Sequence, residues 1–225
     1  MDVETEIDRA SHSEQWDSFW NHEKGGSWAG KWLMRLREKK WVQTFVAVAE
    51  RHTTRGRVLE AGCGSALPSI ILAARRCDEV YAVDMSPVAL EVAKECAASH
   101  GVSIHTEQMS ILDLKYPDNF FTLVWNSGTL EHFEDPRPVL SEMKRVGGTV
   151  IAIVPSKSIA FTLLMLLVRF LPRSMKTLFT DQGKEKFYTR TELEGIFQEL
   201  FKESSVERVR CLGIFPYHAA IGMKR

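Results

Sequence analysis

From Arg57 onward the chain alternates short β-branched, apolar runs with longer stretches of helical periodicity, and this alternation most narrows the folds open to it. Parallel strands cannot be joined by a tight turn and need a crossover of about a dozen residues or more, which a helix supplies. Strands are predicted over Arg57 to Glu60, Glu79 to Asp84, Ser103 to Glu107, Phe120 to Asn126 and Thr149 to Val154, with helices from Pro68 to Arg76, Pro87 to His100 and Pro138 to Arg145. Pro68, Pro87 and Pro138 suit a first helical turn, where a missing N–H costs little, and Ser86 is a good N-cap. Gly101 then closes the second helix. After Val154 the alternation breaks: an apolar stretch runs to Leu171 and a basic, polar patch from Arg173 to Lys186. FYTRTELEGIFQELF follows, in which Thr191 and Glu194 have capping-box spacing. Ser204 to Cys211 and Ile214 to Gly222 read as two final strands, a hairpin closing one edge of the sheet.

With 225 residues and 44% hydrophobic content there is enough for one ordinary core with a small cap. The expected division is an N-terminal helical cap over 1–56, a ligand-binding core over 57–155, an inserted lid or cap over 156–187, and a C-terminal helix with the closing strands over 188–225. In the first of these, Trp28, Trp32, Leu33, Leu36, Val42, Phe45, Val46 and Ala49 fall on one apolar stripe. Lys and Arg together number 29, as do Asp and Glu, so no global field favours a polyanion and no nucleic acid is expected as partner. Cys63, Cys77, Cys96 and Cys211 are widely spread, which argues against a disulfide scaffold or structural zinc and fits a reducing cytoplasm. Dispersed histidines imply no metal. The acidic N-terminus does not resemble a signal or transit peptide. IAFTLLMLLVRFL, Ile159 to Leu171, is thirteen residues long and carries Arg169, whereas a membrane span needs about 20 apolar residues, so no transmembrane segment is expected.

The chemistry concentrates in VLEAGCGSALPSIILA, which places Glu60, Gly62 and Gly64 where a strand ends and a helix begins, the position at which open α/β sheets bind ligands. The two glycines allow a tight turn and a close ligand approach. A dinucleotide loop would need glycine at the position of Leu67, and no GK[ST] follows, so neither a pyrophosphate nor a triphosphate is expected here. Glu60 repels phosphate and attracts an ammonium group. Asp84 ends the next strand, 24 residues on (84 − 60), where a carboxylate accepts from both hydroxyls of a ribose. Met85 suits a flat purine face. Ammonium, ribose and purine together describe S-adenosylmethionine.

At these residues the chain resembles the class I S-adenosylmethionine-dependent methyltransferases, most closely the ubiquinone/menaquinone-biosynthesis type that acts on small molecules. The signatures are VLEAGCGSA, VYAVDMSP, YPDNFFTLVWNSGTLEHFEDP and GGTVIAIVPS, with weaker echoes in WDSFW and FYTRTEL. The resemblance implies an α/β fold with a Rossmann-like, seven-stranded, mostly parallel sheet, helices on both faces and one antiparallel edge strand. It places Glu60 near the methionine amino group, the backbone of Ala61, Gly62, Cys63 and Gly64 along the methionine portion, Asp84 and Met85 at the nucleoside, and Ser110 and Ile111 at the adenine. The family usually has an acidic residue at 110; with Ser110 there, either Asp113 substitutes or the contact weakens. Ala66 replaces the third motif glycine, and the usual L-K-P is missing after Val146, which predicts a shortened loop before the fifth strand.

On the acceptor side the resemblance gives Asn126 a backbone carbonyl for the methionine amino group and makes Ser127 to Phe133 the floor of the site. His132 is the candidate base for a hydroxyl or acidic-carbon acceptor, the alternative being a hydrogen bond to loop backbone. Glu131 is a second catalytic candidate, since SGTLEHF is also similar to the loop of cyclopropane-fatty-acid-type enzymes. Ile159 to Leu171 is either an apolar lid suited to a lipophilic or aromatic acceptor or a helix packed on the sheet. Arg169, Arg173 and Lys176 meet an acidic substrate, a membrane surface or only solvent. Trp16, Trp20 and Trp28 close the cofactor pocket or pack in a core or an interface, and Trp125 is a core residue. Cys63 has no basic neighbour in the sequence to activate it. The expected function is methyl transfer from S-adenosylmethionine to a small-molecule acceptor. The alternatives are a non-catalytic scaffold of the same fold, or a dehydrogenase, which would require a glycine near 67.

Overall fold

In the computed structural model, which describes residues 17, 41–52, 55–76, 79–157, 186–211 and 215–224, strand β1 (Arg57–Ala61) is buried from its second residue on, as befits a strand covered on both faces. It pairs in parallel with β2 (Glu79–Asp84) on one side and β4 (Phe121–Ser127) on the other. Strands β3 (His105–Gln108) and β5 (Gly147–Pro155) continue the parallel sheet outward. The hairpin of β6 (Glu203–Cys211) and β7 (Phe215–Met223) completes it, giving a seven-stranded sheet of order β3-β2-β1-β4-β5-β7-β6. This is the expected α/β architecture with an antiparallel edge. Within that edge β7 lies inside, antiparallel to both β5 and β6, and β6 is outermost. Composition explains the choice: Ala219, Ala220 and Ile221 of β7 are buried, whereas β6 intersperses Glu203, Glu207, Arg208 and Arg210, charges that suit an open edge.

Helices cover both faces. On one face residues 41–52 (α1) and α2 (Leu67–Arg76) pack over Val58, Val80, Leu123, Trp125, Ile151 and Ile153, and α3 (Pro87–Ser99) lies beside α2 over Ala82. On the other face α4 (Arg137–Val146) and α5 (Arg190–Leu200) cover Leu59, Val124, Val150, Ala152 and Ala220. Val42, Phe45, Val46 and Ala49 of the expected N-terminal stripe are buried. Trp16, Trp20, Trp28, Trp32, Leu33 and Leu36, together with Ile159 to Leu171, Arg173 and Lys176, lie outside the described residues.

Ser86 caps α3 by accepting from the Ala89 N–H at 3.0 Å. Gly101, at φ 65°, ends it, with the N–H of Gly101 on the Ala98 carbonyl and that of Val102 on the Ala97 carbonyl. Helix α5 begins earlier than its sequence suggests. Its capping box is Thr189 with Glu192, not Thr191 with Glu194. TRTE offers two frames, and the wholly buried Tyr188, bridged to Ser156, fixes where the extended chain ends. Before β5 the connection is shortened to nothing: α4 ends at Val146 and β5 starts at Gly147. A Cβ on Gly147 would lie 2.6 Å from Val124 Cγ2, so only glycine lets helix and strand meet this closely.

Candidate active site

The C-terminal ends of β1, β2 and β4 converge on the turn that follows β1. Gly62 (φ 71°) and Gly64 (φ 49°) bend it, and the N–H groups of Gly62 and Cys63 both donate to the Val83 carbonyl, at 2.9 and 3.0 Å. Ala66, standing for the third glycine, is itself left-handed at φ 51° and wholly buried. That conformation is uncommon for a residue with a Cβ. It is retained because the Ala66 N–H donates to the Cys63 carbonyl at 2.7 Å while its own carbonyl accepts from Ile70 in α2.

Glu60 is buried in the sheet, and its Oε2 accepts from the Ser69 N–H at 3.3 Å. Ser69 sits in the first turn of α2, after Pro68, where helical N–H groups lack internal partners and the dipole favours an anion. The Ser69 hydroxyl also hydrogen-bonds Glu60 and accepts from Trp125 Nε1 at 3.0 Å. Burial pushes the Glu60 carboxyl up to about 7; Ser69 offsets part of this and the charge of Asp84 adds to it. Asp84 accepts from the Gly64 N–H through Oδ2 and from the Ser86 N–H through Oδ1, both at 2.9 Å. Its carboxyl is raised, chiefly by burial and further by Asp17, which accepts a hydrogen bond from the Ser86 hydroxyl. The Cys63 thiol is raised well above its usual value by burial and by the charges of Asp84 and Glu60, which does not favour a nucleophilic thiolate.

Met85 is half-buried and its carbonyl accepts from Gln108 Nε2 at 2.9 Å. Ile111 is buried, and the Ser110 hydroxyl accepts from the Leu112 N–H at 3.2 Å. The Asp113 carboxylate pairs with Lys115 at 2.5 Å. Near the end of β4, Asn126 is wholly buried with Nδ2 on Met143 Sδ at 3.4 Å. Gly128 (φ 73°) turns the chain, its N–H on the Ile153 carbonyl, and Thr129 donates to the Gly62 carbonyl at 3.2 Å. A single 3-10 turn, Leu130–His132, follows. Glu131 is buried and its carbonyl accepts from the Lys186 N–H at 2.8 Å, while His132 is half-buried with its N–H on the Thr129 carbonyl. The Tyr188 hydroxyl reaches the Leu130 carbonyl at 3.4 Å and is pushed up to about 12 by burial and the charge of Glu131.

The fold thus gathers Glu60, Ala61, Gly62, Cys63, Gly64 and Asp84 at one turn, with Met85, Ser110 and Ile111 beside it, Asn126 near the end of β4, and Glu131 and His132 along the connection that follows. Sequence reasoning gave Ser69 and Gln108 no role, and took in Thr129 and Asp17 only as parts of the Ser127 to Phe133 floor and of WDSFW, with no partner for either. Only Ser69 carried a legible signal, a hydroxyl in the first helical turn directly after a proline.

Residues 59–152 match the methyltransferase domain family. This stretch makes up less than half of the chain. It is 34% identical over 91 residues to a probable chloroplastic tocopherol O-methyltransferase of Oryza sativa, an alignment covering 40% of this chain and 25% of that protein. It is 32% identical over 93 residues to the ubiquinone biosynthesis O-methyltransferase of Haemophilus ducreyi, with 39% of each covered. The chain therefore spans about a quarter to two-fifths of these relatives. The whole fold is similar to the magnesium protoporphyrin IX methyltransferase of Synechocystis, solved with bound SAH, at a TM-score of 0.69 and 17% identity over 98% of this chain and 100% of that one. A methyltransferase from Aquifex aeolicus superposes with a TM-score of 0.58 at 19% identity, covering 81% of this chain and 89% of that one. At such identities the likeness is one of fold: the chain shares the architecture of these structures.

Proposed function

We propose that the chain is an S-adenosylmethionine-dependent methyltransferase acting on a small, lipophilic or aromatic acceptor. The observation that carries this is a pair of carboxyls, buried Glu60 and half-buried Asp84, held by backbone amides on either side of the Gly62–Gly64 turn. Such a donor set fits an ammonium group and a pair of hydroxyls and repels phosphate. When bound, the cofactor supplies a methyl group on a sulfonium, open to in-line displacement. The chain's own residues bind and align: Glu60 holds the ammonium, the 61–64 backbone lines the methionine portion, Asp84 takes the ribose, and Met85, Ser110 and Ile111 border the base. Asn126 adds its backbone carbonyl. Alignment of this kind supplies much of the acceleration. His132 accepts the proton of a hydroxyl or acidic-carbon acceptor, with Glu131 beside it. The apolar character of Ile159 to Leu171 and the names of the tocopherol and ubiquinone-pathway relatives support a lipophilic acceptor.

Calorimetric titration with S-adenosylmethionine and S-adenosylhomocysteine, with NADH as control, tests the donor site. Saturable binding of the first two alone is expected, weakened roughly tenfold or more in Asp84→Ala as charge-assisted hydrogen bonds are lost. Absence of binding by the folded protein, or unchanged affinity in the variant, overturns the assignment.

A further inference from the structure

Thr129 stands where a cap belongs and does not cap. It directly precedes the Leu130–His132 turn, at φ −124° and ψ −44°, and its side chain makes no hydrogen bond to that turn. The hydroxyl instead donates to the carbonyl of Gly62, 67 residues earlier in the chain. The rest of the side chain fills the space where Gly62 would carry a Cβ: an atom built there would lie 2.7 Å from Thr129 Cγ2 and 2.9 Å from Oγ1. Gly62 is therefore a glycine twice over, for its positive φ and for its contact with Thr129. Past Thr129 the chain enters the turn bearing Glu131 and His132, anchored in turn by the Lys186 N–H on the Glu131 carbonyl.

We propose that Thr129 is a positioning residue that transmits occupancy of the donor turn 61–64 to the loop carrying Glu131 and His132, so that the acceptor side is ordered when the methyl donor is in place. The inference rests on the donor site proposed above. A ligand lying along the 61–64 backbone restrains the Gly62 peptide, and the hydrogen bond together with the side-chain contact hands that restraint to Thr129. A threonine capping its own turn would order the loop regardless of the donor. Bonded to Gly62, it makes that order conditional.

Hydrogen–deuterium exchange of the full chain, with and without S-adenosylhomocysteine, tests this in the wild type, Thr129→Val and Thr129→Ser, each also titrated calorimetrically. In the wild type the amides of 129–133 are expected to exchange roughly two- to tenfold more slowly with ligand, the effect of about one hydrogen bond. Thr129→Val should still bind the ligand but lose the loop response, and Thr129→Ser should keep it. A wild-type loop that ignores bound ligand overturns the inference, as does a full response in Thr129→Val. If Thr129→Val fails to fold, the wild-type comparison decides alone. A wild type that binds no ligand at all removes the donor-site reading itself.

Discussion

Glu60 sits under opposing demands. A carboxyl raised from 4.5 to about 7 by folding holds its proton more tightly in the native chain, so between those pH values the folded state binds more protons than the unfolded one. Stability contributed by Glu60 therefore falls as pH rises from 4.5 toward 7 and levels off above, a penalty of roughly 3 kcal/mol once the buried group is ionised. Glu60→Gln, neutral throughout, should melt above the wild type at pH 8, with the difference closing toward pH 5, while its affinity for S-adenosylmethionine drops. Thermal melts at the two pH values and a donor titration check both. Glu60 and Asp84 were legible in the sequence because an acidic residue beside a glycine turn announces its chemistry by type alone. Ser69 was not legible as the partner of Glu60, nor Trp125 as the partner of Ser69. Their roles depend on which side chains the first turn of α2 sets against β1 and β4, and that is fixed by packing across 56 residues of chain. Thr129 was hidden for the same reason.

At the scale of elements, strands and helices followed from periodicity, and the errors lay at boundaries where two local signals compete. The start of α5 is the clear case. Thr189 and Thr191 each have a glutamate three residues on, and local sequence cannot rank them; burial of Tyr188 does. Thr189→Ala should cost about 1 kcal/mol, the usual loss of an N-cap. Thr191→Ala, on an exposed position inside the helix, should change stability by less than about 0.5 kcal/mol. Urea denaturation of the pair separates the frames, and equal losses would refute the assignment. The vanished connection before β5 shows the opposite situation, in which the missing residues after Val146 were visible and their consequence was direct.

Across the whole molecule, the sheet is joined to the α5 side through Phe201, which stacks on Phe197 at 5.2 Å and lies over Gly222 of β7. A Cβ at Gly222 would come within 2.4 Å of that ring. Gly222→Ala should therefore force Phe201 aside and destabilise the fold by about 1–3 kcal/mol, as overpacking of a filled core does. Chemical denaturation reads this, and an unchanged midpoint would mean the ring yields freely. That β7 lies inside and β6 outside was not legible, because the sequence shows two strands and a turn but not which partner β5 accepts. The consequence reaches into biosynthesis. Residues 203–211 leave the ribosome before residues 215–223, yet β6 has β7 as its neighbour and so does the open side of β5. Until that strand is translated, a nascent chain carries two bare strand edges, each a template for pairing with other chains. A released chain that ends between β6 and β7 would thus present both edges at once and is expected to aggregate.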